Sequence, residues 1–266
     1  MQKIFGVIGD PIEHSLSPDI HNAWYKEYGI DAVYLKFHVL PRQIAQSAAG
    51  IRGLGISGVN VTVPHKTEIM QYLDDISIEA REVGAVNTVV NADGRLIGRN
   101  TDIYGFENAC VLGLGIDLSE MKNVVLFGAG GAARAVLYVL KNNAPAAAIT
   151  IIEQDVIKAK DLAKSMGMSV SVISSSDFSD ELLAETQLLI NATPVGLNGK
   201  GQLFDYTVFK RINDCRVFDL AYVKGGTPLT KAAAGFGLSA IDGMLMLKHQ
   251  AAKSFEYWFG FLPTVK

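Results

Sequence analysis

Hydrophobic and polar positions along this chain fall into two kinds of block. Short apolar or β-branched runs read as strands, and longer stretches with apolar residues three or four apart read as helices. Among the first hundred residues, Lys3–Ile8, Val33–Val39 and Gly58–Val63 read as strands. Ile20–Tyr28 reads as a helix ended by Gly29, and a second helix follows Pro41 to about Ala49. Thr67–Leu73 and Ile76–Val83 read as short helices. Ala85–Asn91 and Arg95–Arg99 are expected to form a hairpin through Ala92-Asp93-Gly94, because Asp-Gly tolerates the left-handed backbone of a tight hairpin turn.

The second half is more regular. Asp102–Leu112 reads as helix, Asn123–Phe127 as an apolar strand, and a glycine cluster follows at once. A helix to about Lys141, a strand at Ala148–Glu153 and a helix over Val156–Met166 come next. Further strands are expected at Ser169–Ile173, Leu188–Asn191, Val217–Asp219 and about Leu238–Ala240, and Met244–Phe259 has helical spacing. Strands alternating with helices imply βαβ units and a parallel sheet.

Composition narrows the class. A chain of 266 residues that is 49% hydrophobic and 19% charged has material for two cores and little for disorder. A formal charge of −3 argues against a long nucleic-acid footprint. The apolar run near the start is broken by Gly9-Asp10-Pro11, too early for a signal segment, and no apolar run reaches membrane length. Cys110 and Cys215 are far apart and read as buried thiols. His14, His21, His38, His65 and His249 show no metal-ligand spacing, so no metal is expected. The expectation is a cytoplasmic enzyme with a small-molecule substrate and neither nucleic-acid nor membrane partners, as a monomer or homodimer.

The glycine cluster is the first chemical signal. Gly128-Ala129-Gly130-Gly131-Ala132-Ala133 is G-x-G-x-x-A between a strand and a helix, the context that a dinucleotide loop requires. Gly128 permits the turn, Gly130 lets backbone approach a pyrophosphate, and Ala133 lets the helix pack closely. The helix N-terminus then offers N–H groups and a positive dipole end. Glu153 lies 23 residues after Gly130, where an acid binds the adenosine ribose and repels a 2′-phosphate. No arginine occurs between Arg134 and Arg211. Together these features predict NAD over NADP.

Four polar segments adjoin strand ends or turns: His14–Pro18, Asn60–Lys66, Gly84–Thr88 and Gly98–Asp102. Asn60 and Thr62 alternate with valines and so share one face of a strand. Ser15 and Ser17 are spaced to fork around one carboxylate. Each segment also has a plainer reading: Ser17 or Asp102 as a helix cap, Asn87 as a turn residue, Lys66 as a surface charge.

As a set they match a family. H-S-x-S-P-x-x-H-N (His14–Asn22), N-V-T-x-P-x-K (Asn60–Lys66), G-A-V-N-T (Gly84–Thr88) and N-T-D-x-x-G (Asn100–Gly105) occur in order. G-A-G-G-A (Gly128–Ala132), N-A-T-P-x-G (Asn191–Gly196), D-L-x-Y (Asp219–Tyr222) and M-L-x-H-Q (Met246–Gln250) follow. The chain resembles the shikimate dehydrogenases over essentially its whole length.

The resemblance implies that Ser15, Ser17 and Tyr222 hold the substrate carboxylate. It implies that Asn60, Asn87, Asp102 and Gln250 hold ring hydroxyls, with Thr62 lining the pocket. Lys66 and Asp102 would be the catalytic pair, the lysine being a cation and proton donor that an adjacent carboxylate orients. Gly128, Ala129, Gly130, Gly131, Ala132, Glu153, Asn191, Thr193, Val195, Gly243 and Met246 would border the cofactor. The implied fold is α/β, with two domains around a cleft: an N-terminal α/β substrate domain (1–103) and a Rossmann-type dinucleotide-binding domain (104–242). A C-terminal helix (243–266) would return to the first.

Three positions depart from the family pattern. Glu153-Gln154-Asp155 stands where many members have Asn-Arg-Thr, Val223-Lys224-Gly225-Gly226 follows the D-L-x-Y tyrosine, and Ala251 replaces a glycine. The first two keep an NAD-linked quinate/shikimate dehydrogenase open, although paired serines lean toward shikimate. A dinucleotide-bound regulator without turnover would not need Lys66 and Asp102. A folate-type dehydrogenase would not need Ser15, Ser17 and Tyr222.

Overall fold

The apolar runs of the N-terminal region pair into a mixed six-stranded sheet. The computed structural model describes residues 1–266 and divides them into two units, Met1–Gly105 with Leu247–Lys266, and Phe106–Met246. In the first unit the strands are β1 (Lys3–Gly9), β2 (Ala32–His38), β3 (Gly58–Val61), β4 (Asp75–Ile76), β5 (Thr88–Ala92) and β6 (Arg95–Arg99). Their order is β2-β1-β3-β5-β6-β4. β1 pairs in parallel with β2 and β3, β5 runs antiparallel to β3 and β6, and Asn60 lies opposite Thr88. The β5–β6 turn has positive φ at both Asp93 and Gly94, as a tight hairpin of this kind demands.

Alternation along β1 and β3 splits the side chains between two cores. Ile8, Val59 and Val61 pack with Ile44, Ala48 and Ile51 of α2 (Ile44–Gly53), having α1 (Ser17–Glu27) on the chain before it. Phe5 and Val7 pack with Trp24 and Tyr25 of α1 and with Ala251, Ala252 and Phe255 of the C-terminal helix. Asn60, between Val59 and Val61, therefore points to the α1 side. Gly58 is needed there, since a Cβ would come within 2.3 Å of the Trp258 indole nitrogen.

β3 ends at Val61 rather than Val63. Pro64 supplies no ladder N–H, and His65 N donates to Thr62 O at 3.0 Å as the chain turns. Thr62 thus lies beyond the strand on which the sequence placed it. The expected helix Thr67–Leu73 is a 3₁₀ segment, Glu68–Tyr72, and Ile76 belongs to β4, leaving α3 as Ile78–Val83.

In the second unit every strand pairing is parallel. β7 (Asn123–Phe127), β8 (Ala148–Glu153), β9 (Ser171–Ser174), β10 (Leu188–Asn191), β11 (Arg216–Asp219) and β12 (Ser239–Ile241) take the order β12-β11-β10-β7-β8-β9. The central strands are buried on both faces, so their sequences are continuously apolar rather than alternating. The order reverses between β7 and β10, and the carboxyl ends of two such strands bound the crevice where ligands bind in open α/β sheets.

Helices α4 (Asp102–Asn108), α5 (Gly131–Asn143), α6 (Val156–Ser165), α7 (Pro228–Gly235) and α8 (Met244–Phe259) complete the set. The expected helix Asp102–Leu112 is α4 followed by a wider π turn, Ala109–Gly113. The sequence reading missed α7, though its signals were present: Thr227 accepts the N–H of Thr230 as a cap, and Pro228 opens the first turn. Cys110 and Cys215 are free and buried, and burial pushes the Cys215 thiol up to about 12. No helix is long and apolar enough to cross a membrane.

Candidate active site

The turn after β3 carries Lys66. It is pinned by the buried His65 ring against Val39 O at 2.6 Å and by Val86 N donating to Lys66 O at 2.8 Å. Asp102 opens α4, and its N–H donates to Asn100 Oδ1, whose amide in turn donates to Ala85 O. These local ties aim the two side chains at each other. Lys66 Nζ donates to Asp102 Oδ2 at 2.6 Å, with side chains 14% and 8% exposed. Asn87 Nδ2 donates to Asp102 Oδ1 at 2.8 Å, so both carboxylate oxygens are engaged. A charge pair this sheltered persists only when the remaining lone pairs are also satisfied.

Asn60, Asn87 and Gln250 adjoin this pair in one buried network. Asn60 Oδ1 accepts from Tyr34 Oη at 2.7 Å, and Asn87 Oδ1 accepts from Thr101 N at 2.7 Å. Gln250 Oε1 lies 3.4 Å from Asn87 Nδ2, while Gln250 Nε2 donates to Leu247 O. The structure therefore joins Lys66, Asp102, Asn60, Asn87 and Gln250. Ser15 and Ser17 sit at the start of α1, where Ser17 N donates to Ser15 Oγ at 3.3 Å. The cap position is Leu16, so Ser17 is not the helix cap. The Thr62 methyl lies over Gly9, where a Cβ would meet it at 2.4 Å. Tyr222 belongs to the second unit, and burial raises its phenol pKa.

Tyr34 and Ser254 are members of the network that sequence reasoning missed. Tyr34 had a signal in the alternation of its strand. Ser254 is four residues past Gln250, hence on the same helix face.

In the second unit the glycine loop is shaped by what glycine lacks. Gly128 has φ +99°, and a Cβ there would lie 3.0–3.1 Å from Thr193 and Ala192. A Cβ at Gly130 would meet nothing within 4 Å, so backbone there is open to close approach. Gly130 is also the uncapped N-terminus of α5, leaving Gly131 and Ala132 in a first turn without a side-chain acceptor. These features fit a dinucleotide pyrophosphate.

Asn191, at the end of β10, organises the neighbouring loop. Its amide donates to Val195 O and Asp219 Oδ1 and accepts from Thr193 N and Oγ1. Burial raises the pKa of Asp219. Gly243 abuts the Leu220 carbonyl, which a Cβ would meet at 2.1 Å, and Met246 is buried.

Glu153 serves the loop itself. Its carboxylate accepts from Ala129 N at 2.8 Å, Gln154 N at 2.9 Å and Asp155 N at 3.4 Å, with Lys158 Nζ at 3.9 Å. Beside it a pocket of about 500 Å³ is lined by Arg134 of α5 and Lys158 of α6, with Asp155, Asp161 and Ser165 among its other walls.

Residues 7–89 match the family described as the shikimate dehydrogenase substrate binding domain. A protein of Symbiobacterium thermophilum named shikimate dehydrogenase (NADP(+)) is 41% identical over 97% of this chain and 89% of its own length. The chain belongs to the shikimate dehydrogenase family. A member from Lysinibacillus sphaericus with the same NADP(+) designation is 38% identical over 99% of this chain and 95% of its own. The solved shikimate dehydrogenase of Thermus thermophilus, in complex with NADP(H) and shikimate, superposes with a TM-score of 0.87 at 32% identity, covering 99% of this chain and 95% of that one.

These shikimate dehydrogenases overturn the expectation of NAD over NADP. The physical reason lies in the position of Glu153. Its carboxylate is tied to the Ala129 N–H of the glycine loop and to the Gln154 and Asp155 N–H groups of its own turn, with Lys158 as counter-charge, so it braces two loops rather than standing as a free barrier. The arginine-free stretch runs from residue 135 to 210, and Arg134, just before it on α5, lines the same pocket as Lys158.

Proposed function

We propose that this chain catalyses reversible hydride transfer between NADP(H) and the shikimate/3-dehydroshikimate pair, in the cytoplasm, on the route to aromatic amino acids. The observation that carries the reading is the sheltered Lys66–Asp102 pair, braced by Asn87. When bound, the nicotinamide supplies or accepts the hydride. The chain's residues handle the proton and the position. Oxidation of a secondary alcohol releases its O–H proton, and reduction returns a proton to the carbonyl oxygen. Lys66, sharing its contact with Asp102 Oδ2, donates or accepts that proton at the substrate oxygen. Asn87 holds Asp102 so that Oδ2 stays on Lys66.

Asn60, Asn87, Asp102 and Gln250 hold ring hydroxyls, Thr62 lines the pocket, and Ser15, Ser17 and Tyr222 take the carboxylate. Gly128–Ala132 and the start of α5 take the pyrophosphate, with Arg134 and Lys158 flanking the adenosine phosphate. Glu153 braces the loop, and Asn191, Thr193, Val195, Gly243 and Met246 border the nucleotide. Steady-state assays with shikimate or quinate, each with NADP or NAD, test the reading. The highest kcat/KM is expected for shikimate with NADP. A quinate preference, or no turnover at all, overturns it.

A further inference from the structure

Ser254 lies wholly buried on α8, outside every motif that marked the family. Its Oγ is 2.9 Å from Asn60 Nδ2, 2.8 Å from Thr88 Oγ1 and 3.1 Å from Thr101 Oγ1, and it donates to Gln250 O at 3.0 Å. Thr88 and Thr101 are themselves 3.2 Å apart. Three hydroxyls from β5, the approach to α4, and α8 thus close a triangle with no exposed surface.

Donor counting fixes the role of Ser254. Ser254 has one hydrogen, and the Gln250 carbonyl takes it. Toward Asn60 and the threonines its oxygen is therefore an acceptor. Asn60 Nδ2 also faces Asn87 O at 3.1 Å, a pure acceptor, so the Asn60 amide cannot be reversed. Thr101 N, a pure donor, fixes the Asn87 amide with its oxygen toward Thr101. Asn87 Nδ2 then gives its hydrogens to Thr101 Oγ1 and Asp102 Oδ1. The Thr88 and Thr101 hydroxyls each reach Asn87 Oδ1, at 3.1 and 3.2 Å, as well as Ser254, at 2.8 and 3.1 Å, so when one donates to Asn87 the other donates to Ser254. Asn60 Nδ2 lies 2.9 Å from Ser254 Oγ and 3.0 Å from Thr88 Oγ1, so Ser254 and Thr88 together form the joint between the chains through Asn60 and through Asn87.

We propose that Ser254 is a positioning residue for the substrate hydroxyls, acting through Asn60 and through the Thr101–Asn87 pair. The proposal rests on the functional reading above, which assigns ring hydroxyls to those amides. Without the Ser254 acceptor, Asn60 Nδ2 falls back on Thr88 Oγ1 and the threonine hydroxyls compete for Asn87 Oδ1, so the buried network is one acceptor short and both amides are held less tightly.

The test compares wild type, Ser254→Ala and Ser254→Cys in shikimate oxidation. Cysteine fills similar space with a weak acceptor. Both variants are expected to raise the shikimate KM by about tenfold, as one or two lost buried hydrogen bonds imply. The NADP KM should stay within about twofold of wild type, because a local substrate-side loss leaves the nucleotide side alone. Adding Asn60→Ala to Ser254→Ala should give a shikimate KM well below the product of the single effects, since the two act as a unit. An unchanged shikimate KM in Ser254→Ala overturns the proposal, as does restoration of wild-type KM by cysteine, which would make the role one of packing. Equal increases in both KM values overturn it too. A wild type that does not turn over shikimate removes the functional reading itself, and that result is distinct from any variant effect.

Discussion

In the unit of residues 1–105 and 247–266 the candidate site is made of side chains, whereas in residues 106–246 it is made mostly of backbone. Lys66, Asp102, Asn60, Asn87 and Gln250 come from separate segments and are wired to one another through hydrogen bonds. The glycine loop comes from one segment, and its fitness lies in missing Cβ atoms at Gly128 and Gly130. A side-chain site fails when a group is taken away. A backbone site fails when a group is added.

That contrast can be broken most forcefully at Lys66. Lys66→Ala is expected to lower kcat by about 10²–10⁴-fold with a shikimate KM close to wild type, the scale of a lost general acid–base group. Steady-state kinetics with a kcat near wild type would remove Lys66 from the chemistry. Next comes the opposite operation. Gly130→Val adds bulk where the structure is open, so the fold should be unaffected while the NADP KM rises by about a hundredfold, the cost of a displaced ligand. An unchanged NADP KM would show that backbone approach at Gly130 is not used.

Gly58→Ala sharpens the comparison by adding a Cβ where packing, not ligand, forbids it. The new methyl would collide with the Trp258 indole, and overpacking of this kind costs about 1–3 kcal/mol. Thermal unfolding should show a lowered Tm, and an unshifted Tm would mean that Trp258 moves aside freely.

A last effect, absent at neutral pH, concerns His21, stacked on Tyr34 with ring centroids 4.4 Å apart and neither nitrogen partnered. Burial pushes its pKa down to about 3. Unfolded, it binds a proton below about 6.5, so the unfolded state holds more protons across that window. Stability is therefore full above about pH 6.5 and falls as pH drops toward 3, by at most about 1.4 kcal/mol per pH unit. His21→Phe should flatten the pH dependence of the urea midpoint between about pH 6 and pH 4. Parallel profiles for the two proteins would exclude His21 as the source.

Local signals were read best where the physics is local. The hairpin through Asp93-Gly94 and the loop at Gly128–Gly130 depend on backbone conformations that glycine and aspartate announce in the sequence. Thr62 was placed on a strand because alternation continued past Val61, and only Pro64 and the turn at His65 ended it. The spacing of Glu153 places it beside the glycine loop, but spacing does not show which N–H groups a carboxylate meets.

By itself the sequence determined the α/β class, the glycine loop with its flanking strand and helix, and the motif set that marks the shikimate dehydrogenases. Each is encoded in contiguous residues, through periodicity, glycine placement and turn chemistry. Only the tertiary structure decided that Arg134 shares a pocket with Lys158, that Glu153 braces the glycine loop at Ala129, and that Ser254 joins Asn60 to Thr101. Those contacts bridge residues far apart in the chain, and their hydrogen-bond directions follow from donor and acceptor atoms that meet only after folding.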